Sequence, residues 1–298
     1  MCRNTEKITT PIENYMFTDT LVESEITNLI QSALLEDIRG GDVTTESLIG
    51  RESKARAVWI AKQDGVVAGL EIAKKVFCQL DNNLDWNTIF KDGDWVKKGN
   101  VLAEMSGLCR AILMGERVAL NFAQRMSGIA TETAMFVQQI EGLPAIILDT
   151  RKTVPGMRAL DKYAVKAGGG QNHRMGLYDM VMIKDNHIVT AGGIKNAVSF
   201  VKEKHPEHII EVEITSLEEA DQAIAAGADI IMLDNMPPEI MKEVVLRVEG
   251  RTKTEASGNI SLHNVREVAE TGVDYISVGA LTHSVSAFDI SQKIKEII

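Results

Sequence analysis

Residues 208–235 read HIIEVEITSLEEADQAIAAGADIIMLDN, and this stretch decides the fold. An apolar run at 209–214 is followed by an amphipathic segment and then by a second apolar run at 230–233. Ser216-Leu-Glu-Glu219 predicts a capping box at the start of the helix between the two runs. A strand, a helix and a second strand in this order predict a βαβ unit, in which the two strands are parallel.

The same pattern recurs through the second half of the chain. Further short runs lie at 145–148, 180–183, 254–256 and 275–278, and helical segments fill most of the gaps. All of the runs except 254–256 are continuous enough to be strands buried on both faces. No GxGxxG motif is present, which disfavours an open dinucleotide-binding sheet. The sequence therefore predicts a closed or nearly closed α/β barrel with six strands.

The first half of the chain reads differently. Apolar spacing predicts a helix over 21–35, and alternation over 54–70 predicts a strand, a turn and a strand. A long helix is predicted over 110–140, and Gly128 inside it is a weak point worth about 1 kcal/mol relative to Ala. This long helix is the candidate boundary between two domains.

The stretch 93–107, GDWVKKGNVLAEMSG, resembles the hairpins of biotinyl and lipoyl carrier folds. The chain lacks the exposed Met-Lys-Met site at which such carriers are modified. We therefore expect a small β-sandwich piece built from the same glycine turns, with a swinging-arm carrier as the alternative.

Composition excludes several classes of protein. The 298 residues carry 32 Lys and Arg against 42 Asp and Glu, a formal net charge of −10, which disfavours a surface devoted to nucleic acid or anionic lipid. No run approaches 18 apolar residues, and the N-terminus has no apolar signal-peptide core, so no membrane span is expected. Three scattered cysteines, with no CxxC pair, predict a reducing, cytoplasmic compartment and no zinc framework.

Polar and charged residues follow the predicted strands, where the active site of an α/β barrel is built. In chain order these groups are Asp149-Thr-Arg151-Lys152, Lys184-Asp185, Glu213, Asp234-Asn235, Ser257-Gly258-Asn259 and Gly279-Ala280. Because the carboxyl ends of parallel strands converge on one mouth, we expect these residues to meet there.

The segment 151–184 is cationic although the chain is acidic. It holds seven Lys or Arg and two acids, a local balance of 7 − 2 = +5. His173 and Arg174 follow the glycine run 168–170 within this segment. Guanidinium and ammonium groups suit carboxylates and phosphates, so a small polyanion is the expected ligand.

Glu213 and Asp234 lie at adjacent strand ends and suit Mg²⁺, which takes few protein ligands and several substrate oxygens. A general acid/base pair and an ion pair with Lys184 are the alternatives. The small residues of 257–259 and 279–280 predict a phosphate site at the last two strands.

Several stretches together resemble quinolinate phosphoribosyltransferases in order across nearly the whole chain. They are Asp37-Ile-Arg-Gly-Gly-Asp42-Val-Thr, Glu116-Arg-Val-Ala-Leu-Asn121, Asp149-Thr-Arg-Lys-Thr-Val-Pro155-Gly, Lys166-Ala-Gly-Gly-Gly-Gln-Asn-His-Arg174-Met-Gly-Leu, Lys184-Asp-Asn-His187, Glu211-Val-Glu213 and Leu233-Asp-Asn235. The resemblance implies an N-terminal α/β sandwich domain (1–117, with 286–298 packing back on it). It also implies an incomplete six-strand α/β barrel of the type II phosphoribosyltransferase kind (118–285).

The resemblance also implies an activity. Quinolinate and phosphoribosyl pyrophosphate would give nicotinate mononucleotide, pyrophosphate and CO2 for NAD synthesis, with Mg²⁺ as cofactor. A homodimer would share its active sites between subunits, with further assembly left open. Neither nucleic acid nor a membrane would be a partner.

The resemblance assigns roles residue by residue. Lys152, Lys184, Glu213 and Asp234 would be catalytic, and Glu213 with Asp234 would hold Mg²⁺ and ribose. Quinolinate would be held by Arg117 from the partner subunit, Arg151, Lys152, His173, Arg174 and Lys184. Thr153 would also contact substrate, and Ser257, Gly258, Asn259, Val278, Gly279 and Ala280 would hold the 5′-phosphate.

Two other enzyme classes are alternatives. A related transferase could act on another carboxylated ring, such as nicotinate without decarboxylation. A Schiff-base aldolase could use Lys184 at the end of its strand.

Overall fold

The structure is a computed structural model that describes residues 20–298, with side chains from Glu23 onward. The described residues form two compact units. The barrel unit consists of residues 136–152 and 171–280, and the antiparallel unit consists of residues 20–135, 153–170 and 281–298. Cys2 and the N-terminal stretch, for which the sequence predicts no signal peptide, lie outside the described residues.

Strands and helices alternate along most of the chain. The strands are β1 (Lys54–Ala61), β2 (Gly65–Val66), β3 (Asp85–Thr88), β4 (Trp95–Val96), β5 (Val101–Leu108), β6 (Ile146–Leu148), β7 (Val181–Ile183), β8 (Ile210–Ile214), β9 (Ile230–Asp234), β10 (Lys253–Ser257), β11 (Tyr275–Ser277) and β12 (Ile290–Ile297). The helices are α1 (Thr20–Ile38), α2 (Val43–Leu48), α3 (Leu70–Leu80), α4 (Cys109–Gln139), α5 (Arg158–Ala167), α6 (Asp185–Ala191), α7 (Ile194–Lys204), α8 (Leu217–Ala226), α9 (Pro238–Val248), α10 (Val265–Glu270) and α11 (Ala280–His283).

The barrel unit contains one six-stranded sheet in the order β6-β11-β10-β9-β8-β7. Every neighbouring pair is parallel, and each of the six predicted runs is a strand. β6 and β7 lie at the two edges of the sheet, so the barrel is incomplete between them. The chain connecting these two strands passes through 153–170, which belongs to the antiparallel unit.

Local sequence sets the ends of the barrel helices. Ser216 caps α8, because its hydroxyl accepts the N–H of Glu219 at 3.2 Å. The Glu219 carboxylate accepts the N–H of Thr215 at 2.7 Å and not that of Ser216, so the predicted capping box is only half formed. Gly227 ends α8 in the left-handed conformation that glycine adopts without strain, and Pro238 lies in the first turn of α9.

Strand alternation separates polar from apolar side chains in the barrel. On β8, Glu211 and Glu213 share one face, and Val212 and Ile214 share the other. Val212 and Ile214 are fully buried, as a strand covered by helices requires. The carboxylates of Glu211 and Glu213 thus lie on the inner face of the barrel sheet. Glu213 is the nearer of the two to the carboxyl end of β8.

The antiparallel unit is built on a four-stranded sheet in the order β12-β1-β5-β3. Its core contains Trp59, Phe77 and Trp86, whose rings contact one another at centroid distances of 5.4–6.1 Å. The C-terminal strand β12 pairs with β1, and the indole N–H of Trp59 donates to Gln292 Oε1 at 2.9 Å. The last residues of the chain thereby complete the sheet that begins near residue 54.

The glycine-turned stretch 93–107 contains β4 and most of β5. β5 lies inside the sheet, with β1 on one side and β3 on the other. β5 contains no lysine, and Lys97 and Lys98 lie exposed in the turn before it, so the strand pairing does not decide the carrier alternative.

Helix α4 runs through the predicted domain boundary at 117/118, and this boundary stays a prediction. Within the described residues, no helix is both long enough and apolar enough to cross a membrane.

Gly128 in α4 is a close-approach residue and not a simple weak point. A Cβ at this position would lie 2.2 Å from the backbone carbonyl oxygen of Ser286 and 3.1 Å from a methyl group of Val285. The missing side chain therefore lets the 285–286 segment pack directly on the helix, which local propensity could not reveal.

We predict that Gly128→Ala lowers the free energy of unfolding by about 1–3 kcal/mol, because the added methyl group overpacks the contact. Urea titration measures the change. Met135→Ala, at a partly exposed position of α4, is the control and should change stability by less than about 0.5 kcal/mol. A more stable Gly128→Ala protein, as helix propensity alone predicts, would contradict the close approach.

Candidate active site at the carboxyl ends of the barrel strands

The barrel unit contains most of the residues that the sequence predicts for the site. Most of them lie at or just after the carboxyl ends of β6 to β11, and because these strands are parallel they share one end of the sheet, whereas His173 and Arg174 lie in the segment between β6 and β7. These residues are Arg151, Lys152, His173, Arg174, Lys184, Glu213, Asp234, Ser257, Gly258, Asn259, Val278, Gly279 and Ala280.

Two guanidinium groups form the cationic part of the site. Arg174 is buried, and its Nη1 donates to the carbonyl of Met180 at 3.2 Å. Burial lowers the pKa of Arg174, and the positive charge of Arg151 lowers it further. The buried Nε of Arg151 has no hydrogen-bond acceptor in the described structure. Two cations that repel each other, one with an unsatisfied donor, favour an anion between them.

Lys184 and Glu213 form an ion pair at the same end of the sheet. Lys184 Nζ donates to Glu213 Oε2 at 2.5 Å, and the two side chains are 44% and 16% exposed. The ion-pair alternative for Glu213 is therefore present in this structure. A half-exposed ammonium group remains able to bind a ligand anion while it contacts the carboxylate.

Asp234 is held by a loop cluster at the ends of β9 and β10. Its Oδ2 accepts from Asn235 Nδ2 at 3.0 Å, and Asn259 Nδ2 donates to Asn235 Oδ1 at 2.9 Å. Gly258 has φ +95°, and a Cβ there would lie 2.2 Å from Asn235 Oδ1. Gly258 is therefore required for the two loops to approach each other.

The end of β11 is anchored to β6. The N–H of Val278 donates to the carbonyl of Leu148 at 2.9 Å, and Gly279 separates this contact from α11. Helix α11 has four residues, so its dipole contributes little to the predicted phosphate site, and backbone N–H groups are the donors that remain.

His173 lies in a buried cluster of acids. Its Nε2 is 3.1 Å from Glu211 Oε2 and 3.4 Å from Glu255 Oε2, and the side chains of both glutamates are fully buried. Ser277 Oγ donates to the second carboxyl oxygen of Glu255. On the other side of the ring, the N–H of Arg174 donates to Nδ1 at 2.8 Å.

The cluster holds protons that isolated side chains would release. Burial lowers the pKa of His173, but the carboxylates of Glu255 and Glu211 outweigh it and raise the pKa. Burial raises the pKa of Glu211, and the charge of Glu255 adds to this effect. Because Nδ1 accepts the N–H of Arg174, Nδ1 carries no proton, and the proton that this coupled cluster retains lies at Nε2 or on the two acids.

Sequence reasoning assigned no role to Glu211 and overlooked Glu255 and Ser277. A signal was present, because Glu255 is the charged residue that interrupts the run 254–256. A charge inside a strand of a buried parallel sheet requires a partner within the core. The identity of that partner, His173, depends on contacts between distant parts of the chain.

Three polar residues beside the site have local structural roles. Asp149 is fully buried and accepts from Asn172 Nδ2 at 2.6 Å and from the N–H of His173 at 2.9 Å. Asp185 Oδ1 accepts the N–H of Asn186 at 2.7 Å, and His187 Nδ1 accepts the N–H of Lys184 at 3.0 Å at the start of α6. Asp149 thereby fixes the backbone that carries His173 and Arg174.

Arg117 and Thr153 belong to the antiparallel unit. Arg117 is exposed on α4 and lines a cavity of about 330 Å³ together with Asp37, Asn121 and Arg125. Thr153 Oγ1 accepts from Arg158 Nε at 3.2 Å. Both residues thus belong to a different unit from the other predicted site residues.

The carboxylate oxygens at the carboxyl ends of β8 and β9 are suitable ligands for a hard divalent cation. Glu213 and Asp234 offer carboxylate oxygens from neighbouring strands, and both are partly exposed. Mg²⁺ prefers such oxygens and retains positions for water and phosphate. The enclosed set of His173, Glu211 and Glu255 is already joined by internal contacts and is a poorer candidate.

The comparisons with protein families agree with this arrangement. Residues 42–127 match the family model described as the N-terminal domain of quinolinate phosphoribosyl transferase, and residues 129–293 match its C-terminal domain.

Individual relatives cover nearly the same part of the chain. A protein of Bacillus subtilis (strain 168) named "Probable nicotinate-nucleotide pyrophosphorylase [carboxylating]" is 47% identical, over 91% of this chain and 93% of its own. A chloroplastic nicotinate-nucleotide pyrophosphorylase [carboxylating] of Arabidopsis thaliana is 48% identical, over 89% of this chain and 82% of its own. The solved nicotinate-nucleotide pyrophosphorylase of Francisella tularensis superposes with a TM-score of 0.89 at 41% identity, covering 91% of this chain and 96% of that one.

Proposed function

The chain belongs to the quinolinate phosphoribosyltransferase family, and we infer from this membership how its residues perform the family reaction. The protein is a decarboxylating pentosyltransferase of de novo NAD synthesis, and its substrates are quinolinate and phosphoribosyl pyrophosphate. The roles that we assign to the site residues rest on one observation. Arg151, Arg174 and Lys184 present positive charge at the same end of the sheet at which Glu213 and Asp234 present carboxylates.

The cationic residues bind quinolinate. This substrate carries two adjacent carboxylates on a pyridine ring, and planar guanidinium groups bind carboxylates through paired hydrogen bonds. The unsatisfied Nε of Arg151 and the buried guanidinium of Arg174 supply such donors. Lys152 and Thr153 complete the substrate contacts in this proposal, and Lys152 also serves the phosphates.

The acidic residues and the glycine loops bind phosphoribosyl pyrophosphate. Glu213 and Asp234 would hold Mg²⁺, which supplies charge neutralisation for the pyrophosphate leaving group when it is bound. The loops at 257–259 and 278–280 bind the 5′-phosphate through backbone N–H groups and small side chains. Support comes from the close approach at Gly258 and from its position beside Asp234.

The first chemical step joins the two substrates. The ring nitrogen of quinolinate forms a bond to C1 of the ribose while the bond from C1 to the pyrophosphate oxygen breaks. Positive charge grows on the ribose, where the carboxylate of Glu213 stabilises it, and negative charge grows on the leaving group, where Lys152 stabilises it. Lys184 contacts Glu213 and is half exposed, so in this proposal it lies between the ribose and quinolinate.

The second step removes CO2. The bond from C2 to its carboxylate breaks, and the electron pair stays on C2 beside the positively charged ring nitrogen until C2 takes a proton. The adjacent positive charge of the ribosylated ring nitrogen stabilises this electron pair, so the protein positions the substrate and neutralises its charge.

We place the active site at a homodimer interface, with Arg117 of each subunit reaching the site of the other. Support comes from the exposure of Arg117 on α4 and from the cavity beside it. We propose a cytoplasmic location, supported by the free thiols of Cys78 and Cys109.

The aldolase alternative is disfavoured. A Schiff-base lysine needs an amine that is free to attack a carbonyl carbon, whereas Lys184 Nζ donates to the Glu213 carboxylate in this structure.

We predict that the protein releases one CO2 and one pyrophosphate for each quinolinate in the presence of phosphoribosyl pyrophosphate and Mg²⁺. Quinolinate labelled in the C2 carboxyl group measures the CO2, and a reaction without phosphoribosyl pyrophosphate is the blank. Nicotinate, which lacks the second carboxylate, should not replace quinolinate. Turnover of nicotinate without CO2 release would instead identify the related transferase.

A second prediction follows from an active site that two subunits share. Arg117→Ala should lower kcat/KM for quinolinate by about 100-fold or more, because a buried charge partner is lost on binding. A hybrid dimer of Arg117→Ala and Lys184→Ala subunits, purified through two different tags, should regain about half of the wild-type activity, since one of its two sites is intact. Arg56→Ala, at an exposed ion pair with Glu296, is the control and should keep full activity. An inactive hybrid, or full activity in Arg117→Ala, would refute the shared site.

A further inference from the structure

The ring of His173 has a protein partner at each nitrogen. Nε2 faces Glu211 and Glu255, and Nδ1 accepts the N–H of Arg174. The residue is 7% exposed. An imidazole enclosed in this way has no ring nitrogen left to donate to a carboxylate of the substrate, although the family resemblance implies such a contact.

We propose that His173 is a positioning residue that acts through Arg174 and does not itself bind quinolinate. The inference rests on the proposed function, because it concerns how the quinolinate site of that reaction is held in place.

A continuous chain of contacts connects the barrel core to Arg174. Ser277 on β11 donates to Glu255 on β10, and Glu255 and Glu211 contact His173 Nε2. The opposite nitrogen of the ring accepts the N–H of Arg174. Three strands of the sheet thereby fix the backbone from which the Arg174 side chain extends.

Asp149 fixes the same segment from β6. Its carboxylate accepts from the N–H of His173 and from the side chain of Asn172. The Arg174 guanidinium is then directed by Met180, whose carbonyl accepts from Nη1, and by Met182, whose sulfur lies 3.7 Å from Nη2. The backbone and the side chain of Arg174 are thus positioned by separate groups, and the ring of His173 supplies the contact to its N–H.

The arrangement has a functional reason. An arginine that binds a carboxylate through two hydrogen bonds requires a fixed approach direction, and a displacement of about 1 Å can cost 100-fold in rate. Arg174 also lies beside Arg151, whose charge repels it. Without a contact to its backbone, repulsion would move Arg174 away from the site whenever the substrate is absent.

A double-mutant cycle tests the proposal. The wild-type protein, His173→Ala, Arg174→Lys and the double variant are compared by calorimetry with quinolinate and by KM for both substrates. If His173 acts through Arg174, each single change weakens quinolinate binding by about 10-fold or more, and the double variant is no weaker than Arg174→Lys. If His173 binds quinolinate independently, the two losses multiply, and the proposal is overturned.

Two further variants serve as a rescue and as a control for the double-mutant cycle. His173→Asn keeps an acceptor near the position of Nδ1 and should recover most of the quinolinate affinity that His173→Ala loses. Thr254→Val removes a buried hydrogen bond to Asp274 from the same strand as Glu255, and it should leave KM for quinolinate unchanged. KM for phosphoribosyl pyrophosphate should change little in every variant, whereas a general loss of structure would raise both constants.

The nitrogen resonances of His173 provide a test that needs no stable variant. With ¹⁵N-histidine in the wild-type protein, which has six histidines, the His173 signals should keep their tautomer pattern when quinolinate saturates the site. A change of tautomer or protonation on binding would show direct contact and overturn the proposal. Absence of CO2 release by the wild-type protein would instead contradict the proposed function, so the two failures are distinguishable.

Discussion

Six parallel strands end at one edge of the barrel sheet, and this constraint brings residues from 149 to 280 into a single site. None of these strands exceeds five residues, so each contributes only a few side chains at its carboxyl end. The chemistry is divided by strand order. Arg151 and Lys152 follow β6, Lys184 follows β7, and Arg174 lies in the segment between these two strands. Carboxylates lie at the ends of β8 and β9, and glycine-containing loops follow β10 and β11. The cations proposed to bind quinolinate thus lie after or between the edge strands β6 and β7.

A cation buried at this end of the sheet is stable only if acidic groups lie close to it. Arg174 is buried and repelled by Arg151, which is unfavourable unless negative charge lies nearby. Glu211 and Asp179 supply part of that charge and raise the pKa of Arg174 against burial. The net negative charge of the chain is therefore not uniform at this site. Acids lie beside the buried cation and offset its charge, and the cations remain available for the proposed substrate.

Much of this arrangement could be predicted from the sequence. Short runs at regular spacing identified all six barrel strands, and the residues at their ends predicted a candidate site, because both signals are local. The acid cluster around His173 could not be identified in this way. Its members come from β8, β10 and the segment before β7, and only folding brings them together. Gly128 is a similar case, since its neighbour Ser286 lies far along the chain. The half-formed capping box differs, because the Glu219 carboxylate bonds to Thr215, only four residues away.

We propose that Arg151, Arg174 and Lys184 bind quinolinate separately from the carboxylates of β8 and β9. A crystal structure of the protein with quinolinate alone tests it most directly. Carboxylate oxygens of quinolinate should lie within about 3.2 Å of guanidinium nitrogens of Arg151 and Arg174. Quinolinate bound against Asp234 and the loop at 257–259, with both guanidinium groups free of it, would contradict the account.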